Sequence, residues 1–323
     1  MKSDLDGRRT RATEVLSFNC VGRKLESNYV MKLSRQIIET EWPLTGVQFV
    51  KTTPGKDKRI TVYVKSNKGE CIFKIAHRKK TEKILKKDTT VLRFLQKKKF
   101  KASPGILETR NGHLYKRIND RLVYAMEYIH GITPKSSPKV WHELGKVVAS
   151  LHLIKPPQSL RSAFTVASQR AKMLKLAGRF KVESRYIDIV KKLPNLAMLP
   201  QSMIHTDVAV NNVIQKPDGS LVLVDWDDAG KGPSVLDIGF VLTSFLTSKL
   251  KFESAKAIAF FTGYRSVRKM PEVEKRFAVD AGLLFGLSYS IHERRGFDPG
   301  YWRWTQYVAA HRDIFEKVLK STK

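Results

Sequence analysis

The chain contains two different sequence patterns, and together they limit the folds that it can adopt. Between residues 47 and 77, short runs of β-branched and aromatic residues alternate with turn residues: VQFVKTT (47–53), RITVYVKS (59–66) and ECIFKIAH (70–77). Such runs predict antiparallel strands. After residue 134, apolar residues recur instead at helical spacing. Strands followed by a long series of helices predict the α+β class, with a β-rich N-terminal lobe and a mainly helical C-terminal lobe.

The β-rich part also contains helix and turn signals. Residues 27–42 and 79–99 have apolar residues at helical spacing and predict two helices. The pair Asn111-Gly112 predicts the turn of a β-hairpin. Residues 121–129 predict a further strand.

The domain boundary is expected where strands give way to helices, at a hinge near residues 127–134. This divides the chain into an N-terminal lobe, residues 1–129, and a C-terminal lobe, residues 130–323. The second lobe contains one predicted pair of strands, residues 211–215 and 221–226, joined by the turn PDGS. Its helical patterns cover roughly 138–151, 163–178, 184–192, 234–247, 254–264, 271–294 and 303–320.

Charge is distributed unevenly along the chain. The sequence has 60 Lys and Arg against 30 Asp and Glu, a formal net charge of +30. Residues 51–100 hold 17 basic and 4 acidic side chains, whereas residues 201–250 hold 3 basic and 6 acidic ones. A bound cation is the expected reason for carboxylates to gather in so basic a chain.

Composition excludes several classes of protein. A hydrophobic content of 42% is far from that of a disordered chain and is enough for a sizeable core. Cys20 and Cys71 lie too far apart for a metal-binding motif and are expected to be reduced thiols. The sequence has neither a signal-peptide pattern nor an apolar run of membrane-spanning length. These features predict a cytoplasmic protein.

The acidic block contains an ordered set of reactive residues. His205, Asp207 and Asn212 form H-x-D-x(4)-N, and Asp225 follows the apolar run LVLV. Protein kinases have this order: a catalytic Asp, an Asn five residues later and a metal-binding Asp after a strand. An acceptor hydroxyl needs a carboxylate to orient it and take its proton. Magnesium takes oxygen ligands, usually one or two carboxylates with phosphates and water. The alternative is that these are only turn and strand-end residues.

The stretch HTDVAVNN, followed by VLVDWDDAGKGPSVLDIG, resembles the signature of the aminoglycoside phosphotransferase and choline kinase-like family. The resemblance extends from about residue 45 to 310 and is most specific between residues 203 and 240. It implies a bilobal protein-kinase-like fold. It also implies an ATP-dependent (or GTP-dependent) kinase that uses Mg²⁺ to phosphorylate a hydroxyl group of a small molecule.

The resemblance assigns roles to individual residues. It implies that Asp207 is the catalytic base, that His205 supports its loop, and that Asn212 and Asp225 hold magnesium. Asp237, in PSVLDIG, matches a structural Asp that braces the catalytic loop. Thr206 stands where the family often has Gly, which removes neither a charge nor a metal ligand.

The family fold also has a lysine for the ATP phosphates on its third strand. Lys74 lies in an apolar alternation between Phe73 and Ile75, where a charged side chain usually needs a partner. Asp88 aligns with the family's helix acid, a Glu, but is one methylene shorter, and Glu82 is the alternative partner. If Lys74 faces solvent, it has no such role.

Other nucleotide contacts are expected in two segments. The turn between the first two predicted strands offers Thr52, Thr53 and Gly55 for the phosphates, or is a plain exposed turn. In MEYIHG (126–131), backbone groups of Glu127 and Ile129 are expected to meet the adenine edge.

The acceptor is less well defined by the sequence. Residues 151–200 hold 10 basic and 2 acidic side chains, which disfavours polycationic aminoglycosides and favours a neutral or anionic hydroxyl compound. Arg294, Trp302 and Trp304 are candidate substrate contacts because Arg and aromatic groups suit polar organic molecules. The alternative is aromatic packing between the last helices. Asp227 is a further candidate, or a solvated turn acid.

Two rival functions fit parts of the sequence. The basic runs HRKKTEKILKK (77–87) and KKKFK (97–101) suit a protein that binds nucleic acid or another anionic surface, or form a solvated helix face. The other rival is a kinase-like structural or interaction protein of the spore-coat type with weak catalysis. The intact Asp207, Asn212 and Asp225 argue against that rival.

Overall fold

The computed structural model describes residues 33–54, 59–160, 162 and 166–321. Part of the predicted helix at 27–42 and Gly55 lie outside the described residues. The strands are β1 (Gln48–Pro54), β2 (Ile60–Ser66), β3 (Gly69–Ile75), β4 (Ile106–Leu107), β5 (Lys116–Ile118), β6 (Arg121–Glu127), β7 (Gln201–Ile204), β8 (Val213–Gln215), β9 (Leu221–Leu223), β10 (Gly230–Pro233), β11 (Ile291–His292) and β12 (Gly296–Phe297).

The helices account for most of the second half of the chain. They are α1 (Arg35–Glu41), α2 (Glu82–Lys97), α3 (Pro138–His152), α4 (Val166–Phe180), α5 (Ser184–Lys192), α6 (Val235–Ser244), α7 (Ser254–Arg265), α8 (Glu272–Ser290), α9 (Pro299–Ala310) and α10 (Arg312–Ser321). In the described part of the chain, no helix is both long enough and apolar enough to cross a membrane.

Two compact units make up the described chain. The sheet unit comprises the described residues up to Ile132 together with Ile214–Asp227. The helical unit comprises Thr133–Val213 and the described residues from Asp228 onward. The segment Ile214–Asp227, which the sequence places in the C-terminal lobe, therefore groups with the sheet. The predicted α+β class is confirmed.

The sheet unit is built on an antiparallel sheet with strand order β1-β2-β3-β6-β4, and β5 also pairs with β6. Side chains alternate across β3, as a strand requires, and Cys71, Phe73 and Ile75 are buried on one face. Trp42, at the end of α1, packs edge-on against Phe73 with ring centroids 5.0 Å apart. Lys74 therefore points to the opposite face of the sheet.

Helix α2 packs through an apolar stripe that contains one carboxylate. The helix begins at Thr81, whose hydroxyl accepts a hydrogen bond from the backbone N–H of Ile84 (3.3 Å). Its buried residues recur at helical spacing and are Leu85, Asp88, Thr89, Val91, Leu92 and Leu95. Asp88 is only 4% exposed. A carboxylate so deeply buried needs a cationic partner.

The hairpin predicted at Asn111-Gly112 is wrong. These residues form a tight turn in which the backbone N–H of Gly112 donates to the carbonyl of Thr109 (3.0 Å). The hairpin turn of this region lies at Asn119-Asp120, between β5 and β6, where Asn119 has a φ of 52°. Asn and Gly both tolerate the left-handed conformation. The pair therefore marks a tight turn whether or not strands flank it.

The hairpin of β8 and β9 is fixed to the segment that follows β6. The backbone N–H of Ile132 donates to the carbonyl of Gln215 (3.0 Å), and that of Gln215 donates to the carbonyl of Ile132 (2.8 Å). A Cβ atom at Gly131 would lie 2.2 Å from the Gln215 carbonyl oxygen. Gly131 thus permits the close approach of the hairpin that leads to Asp225.

The helical unit gains its close packing from glycines on helix faces. A Cβ atom at Gly263 of α7 would lie 1.9 Å from the carbonyl oxygen of His142 on α3. A Cβ atom at Gly239 of α6 would lie 2.3 Å from the carbonyl oxygen of Ala278 on α8. The single helix predicted at 303–320 is instead two helices, α9 and α10, which meet at His311.

Candidate active site

The loop after β7 is held by a carboxylate from α6. Asp237 is fully buried and accepts hydrogen bonds from the backbone N–H groups of His205 (2.8 Å) and Thr206 (2.6 Å). Thr206 has a φ of 70°, in the left-handed region that β-branched residues rarely adopt. The two bonds to Asp237 hold this conformation just before Asp207. The ring of His205 is fully buried and does not contact solvent.

A chain of buried polar groups lies behind Asp237. His152 bonds to the Asp237 carboxylate through Nε2 (3.0 Å) and to the hydroxyl of Tyr264 through Nδ1 (2.7 Å). Arg268 donates to the same hydroxyl (2.7 Å) and forms an ion pair with the buried Glu274 (2.6 Å). The hydrogen bond from Arg268 to Glu274 raises the pKa of Arg268 despite its partial burial. The loop is therefore anchored in the interior of the helical unit through charged and neutral groups that satisfy one another.

Asp207 and Asn212 are joined in the short segment before β8. The side-chain amide nitrogen of Asn212 donates to the carboxylate of Asp207 (2.7 Å) and to its backbone carbonyl (2.9 Å). Asn212 is 7% exposed, whereas Asp207 is half-buried. Because both bonds use the amide nitrogen, the side-chain oxygen of Asn212 is directed away from Asp207 and is available to a cation.

Tyr289, at the end of α8, belongs to the surroundings of the same carboxylate. Its side chain is partly exposed, but desolvation of the hydroxyl raises the pKa of Tyr289, and the charge of Asp207, together with Tyr301 and Asp228, raises this pKa further. The rings of Tyr289 and Tyr301 lie 5.6 Å apart. The sequence did not single out Tyr289, because one tyrosine in an apolar helical pattern is indistinguishable from a core residue.

The sheet unit contains a cavity of about 170 Å³ with mostly apolar walls. Its lining residues are Ile72, Lys74, Asp88, Leu92, Pro104, Tyr124, Met126, Glu127, Ile129, Ile214, Val224, Asp225, Trp226 and Asp227. An apolar cleft with a few convergent charged groups is the usual form of a small-molecule site. The charged groups are one lysine and several carboxylates.

Asp225 is presented to this cavity by a turn in the backbone after β9. The residue is exposed and has a φ of 64°, a conformation that Asp tolerates better than most side chains. The next residue, Trp226, is buried, and its indole N–H donates to the carbonyl of Leu223 (2.8 Å). The buried indole fixes the turn, and the turn places the Asp225 carboxylate on the cavity wall.

The predicted ion pair between Lys74 and a helix acid is replaced by another. Asp88 pairs with Lys80 (2.7 Å), and the same ammonium lies 3.0 Å from a carboxylate oxygen of Asp227. The alternative acid, Glu82, pairs with an arginine of β5 (2.9 Å). Lys80 lies among several lysines in HRKKTEK, and no feature of the sequence distinguishes it from them.

Charges reinforce one another around Asp227. Burial by itself lowers the pKa of Lys80, but Asp227 and Asp88 raise this pKa above its ordinary value. Burial by itself raises the pKa of Asp227, but Lys80, Lys74 and Arg59 together lower it below its ordinary value. Arg59 lies 3.2 Å from the Asp227 carboxylate. Asp227 is thus an ion-paired residue, and the alternative of a solvated turn acid is wrong.

Glu127, the last residue of β6, and Ile129 both lie on the cavity wall. The backbone N–H of Glu127, however, donates to the carbonyl of Gly105 (2.8 Å) and is not directed to a ligand. The Glu127 carboxylate accepts a hydrogen bond from the backbone N–H of the same glycine (3.3 Å). The backbone N–H of Glu127 is therefore not available for the expected contact with adenine.

The aromatic candidates for acceptor contacts are core residues. Trp302 is 3% exposed, and its ring packs edge-on against Tyr186 at 5.5 Å. Trp304 is 9% exposed, and its indole N–H donates to the carbonyl of Leu246 (3.1 Å). Both rings therefore stabilise the helical unit, and their assignment to the substrate is corrected. Arg294 is exposed beside β11.

The predicted phosphate loop is described only in part. Thr52 is half-buried and Thr53 is exposed, both near the end of β1, whereas Gly55 lies outside the described residues. Within the described ranges, no group of three or more His, Cys, Asp or Glu side chains is arranged to hold a metal ion.

Comparison with solved structures identifies the fold. Spectinomycin phosphotransferase APH(9)-Ia, solved with ADP and spectinomycin, superposes with a TM-score of 0.58 at 14% identity and covers 93% of this chain and 99% of its own. Amicoumacin kinase hAmiN, solved in complex with AMP-PNP, Ca²⁺ and Ami, gives a TM-score of 0.60 at 14% identity and covers 91% of this chain and 96% of its own. The ethanolamine kinase of Plasmodium vivax gives 0.55 at 13% identity, with 95% of each chain covered. The fold is that of the small-molecule kinases.

Sequence comparison leads to the same class. No curated protein matches the chain by sequence alone. The profile of the phosphotransferase enzyme family, however, matches residues 53–270, which is more than half of the chain. The chain belongs to this family of enzymes, and the resemblance noted in its acidic block is confirmed.

Proposed function

We propose that this protein is a kinase that transfers the γ-phosphoryl group of ATP to a hydroxyl group of a small molecule. The observation that carries the proposal is the charge arrangement in the cavity of the sheet unit. Lys80 and Arg59 hold Asp88 and Asp227 in ion pairs. Lys74 and Asp225 line the same cavity but belong to none of these pairs. One cation, Lys74, and one carboxylate besides Glu127, which accepts a hydrogen bond from the backbone of Gly105, thus face the cavity outside these ion pairs.

Lys74 and the apolar walls suit a nucleotide. A base fits between apolar residues such as Ile72, Met126 and Val224, and an ammonium group suits the phosphates that follow it. The segment around Ile129 supplies backbone groups at the cavity wall. The family and the fold support the choice of ATP, and relatives of the fold were solved with ADP or AMP-PNP.

The residues present fit a magnesium ion. Asp225 is an exposed carboxylate with a fixed backbone, and Asn212 has a side-chain oxygen directed away from its hydrogen-bonded partner. Both are hard oxygen donors, and magnesium typically takes one or two such protein ligands with phosphates and water. The family signature assigns Asn212 and Asp225 as the metal ligands, and a bound ion would neutralise charge on the transferring phosphoryl group. Zinc is less suited because the set lacks nitrogen and sulfur ligands.

Asp207 is the proposed general base. The hydrogen bond from Asn212 fixes its carboxylate at 2.7 Å, and Asp237 fixes the preceding backbone. Asp207 would accept a hydrogen bond from the acceptor hydroxyl and take its proton as the new P–O bond forms and the bond from the γ-phosphorus to the β,γ-bridging oxygen breaks, which releases ADP. His205 and Asp237 act through the position of this loop and do not touch the reacting atoms.

The acceptor is proposed to be a small hydroxyl compound that packs beside Tyr289. The exposed rings of Tyr289 and Tyr301 give the surroundings of Asp207 an aromatic surface, and Asp228 adds a carboxylate. Arg294 remains a candidate contact, since it is exposed in the same stretch of chain.

Nucleotide binding tests the assignment to the sheet unit. Calorimetric titration with AMP-PNP and Mg²⁺ should show binding to the wild type and to a control, Lys79→Ala, which alters an exposed lysine. Lys74→Ala should weaken binding by about tenfold or more, as expected for a lost charge contact to phosphate. Asp225→Ala should abolish the dependence of binding on magnesium. Wild-type protein that binds no nucleotide, or variants that bind like the control, would refute the proposal.

A further inference from the structure

Lys80 is a charged residue whose position is not explained by the roles proposed so far. Its side chain is 14% exposed, and its ammonium group lies between carboxylate oxygens of Asp88 (2.7 Å) and Asp227 (3.0 Å). It precedes Thr81, the capping residue of α2. Lys79, by contrast, is exposed. A lysine buried to this degree and bridging two carboxylates makes a defined contact and is not part of a solvated basic face.

The two carboxylates held by Lys80 compete for the groups that bind the nucleotide. Asp88 and Asp227 line the cavity together with Lys74 and Asp225. Lys74 lies on the wall of the same cavity, beside these carboxylates. Asp88 is only 4% exposed and is costly to leave without a cation. If Lys80 were absent, Arg59 would still pair with Asp227, and Lys74 would be the cation of the cavity drawn to both acids.

The same bridge connects α2 with the chain that follows β9. Asp88 lies in the buried stripe of α2, and Asp227 lies two residues after Asp225. Lys80 therefore fixes one end of the turn that presents Asp225, while the buried indole of Trp226 fixes its centre.

We propose that Lys80 is a positioning residue for the nucleotide. By bridging Asp88 and Asp227, it keeps both carboxylates from Lys74, so that Lys74 is directed to the phosphates and Asp225 to the metal ion. This inference rests on the proposed function, because it assigns Lys80 a part in binding ATP with Mg²⁺. It also explains how an acid one methylene shorter than Glu serves at position 88, since the acid is paired with Lys80 and not with Lys74.

The test is titration of AMP-PNP in the presence of Mg²⁺ into full-length variants. Lys80→Met removes the charge but keeps a side chain of similar length, and it should raise the Kd about tenfold or more, since a charge a few Å away is only partly screened. Lys79→Met, the matched control, should change the Kd by less than about twofold, because exposed charges contribute little. Lys80→Arg should recover most of the affinity, because a guanidinium also bridges two carboxylates.

Further substitutions separate positioning from simple structural support. In Lys80→Met/Asp88→Asn/Asp227→Asn, both competing carboxylates are neutral, so Lys74 is released and most of the lost affinity should return. A merely structural role predicts no such recovery, since the triple variant also removes the ion pair between Arg59 and Asp227. Thermal unfolding of each variant checks that folded protein is titrated.

The outcomes separate the two proposals. If wild type and Lys79→Met bind AMP-PNP with Mg²⁺ but Lys80→Met binds equally well, the positioning role is overturned and the proposed function stands. If Lys80→Met loses affinity and the further neutralisation of Asp88 and Asp227 restores none of it, the positioning role is also overturned. If the wild type itself does not bind, the proposed function fails first. Loss in Lys80→Met with recovery in the triple variant supports the inference.

Discussion

Replacing Asp237 by Asn tests how the loop of Asp207 is held. The carboxylate accepts hydrogen bonds from the backbone N–H groups of His205 (2.8 Å) and Thr206 (2.6 Å), one on each oxygen, and bonds to Nε2 of His152 (3.0 Å). An Asn amide has one oxygen and one NH₂ group. In either orientation, its NH₂ group faces a backbone N–H that can no longer donate. The site is fully buried, so water does not replace the lost acceptor.

The magnitude follows from this count. One orphaned buried N–H costs about 1–3 kcal/mol, and the remaining bonds lose the charged acceptor that strengthens them. We therefore expect Asp237→Asn to lower the free energy of unfolding by about 2–4 kcal/mol. The matched control is Asp188→Asn, an exposed residue of α5 in the same unit, which should change it by less than about 0.5 kcal/mol.

Two assays measure the effect. Urea denaturation gives the free energy of unfolding of each variant. Hydrogen exchange reports the backbone amides of His205 and Thr206 directly, and at least one of them should exchange faster in Asp237→Asn. Stability within about 0.5 kcal/mol of the wild type, with both amides still protected, would refute the claim that Asp237 holds the loop.

Three further predictions concern other parts of the molecule. Gly131→Ala should destabilise the sheet unit by about 3 kcal/mol in urea denaturation, because its Cβ would clash with a carbonyl, whereas Gly178→Ala inside α4 should be neutral or stabilising. If Gly131→Ala were as stable as Gly178→Ala, this expectation would be contradicted. The pKa of Asp227 is depressed in the folded state, so its ion pairs stabilise the protein above the ordinary pKa of 3.8 and this contribution is lost as the pH falls through the folded value. The unfolding free energies of wild type and Asp227→Asn should therefore differ near neutrality and converge as the pH falls below about 3.8. A difference between the two free energies that stays constant with pH would contradict this. Tyr289→Phe should raise KM for the acceptor and leave the Kd for AMP-PNP unchanged, and a change confined to nucleotide binding would oppose its placement beside Asp207.

The strands and helices could be predicted from local patterns, and the site only in part. The β-branched runs at 47–77 predicted β1 to β3 to within about two residues, because alternation and turns are local properties. The single helix predicted at 303–320 failed because the break at His311 leaves the apolar spacing intact. Short strands such as β7 and β10 were missed because their pairing joins residues far apart in sequence.

The ion pairs of the site could not be predicted from the sequence. Asp225 and Asn212 were recognisable because their spacing from Asp207 repeats a kinase pattern. Lys80 was not, because its two partners are brought to it by folding, one from α2 and one from the chain after β9. The tryptophans at 302 and 304 were assigned to the substrate because composition cannot distinguish an aromatic surface from an aromatic core.

Magnesium-dependent transfer of phosphate from ATP tests the central claim most directly. ADP formation and the mass gain of one phosphoryl group should be followed with a panel of hydroxyl compounds, together with ATP hydrolysis in water, which needs no added acceptor. The wild type and a control, Asp218→Asn in the exposed turn between β8 and β9, should turn over ATP at similar rates. Asp207→Asn should be slower by about 10²–10⁴-fold, the usual contribution of a general base. Turnover by Asp207→Asn at the wild-type rate would contradict the account.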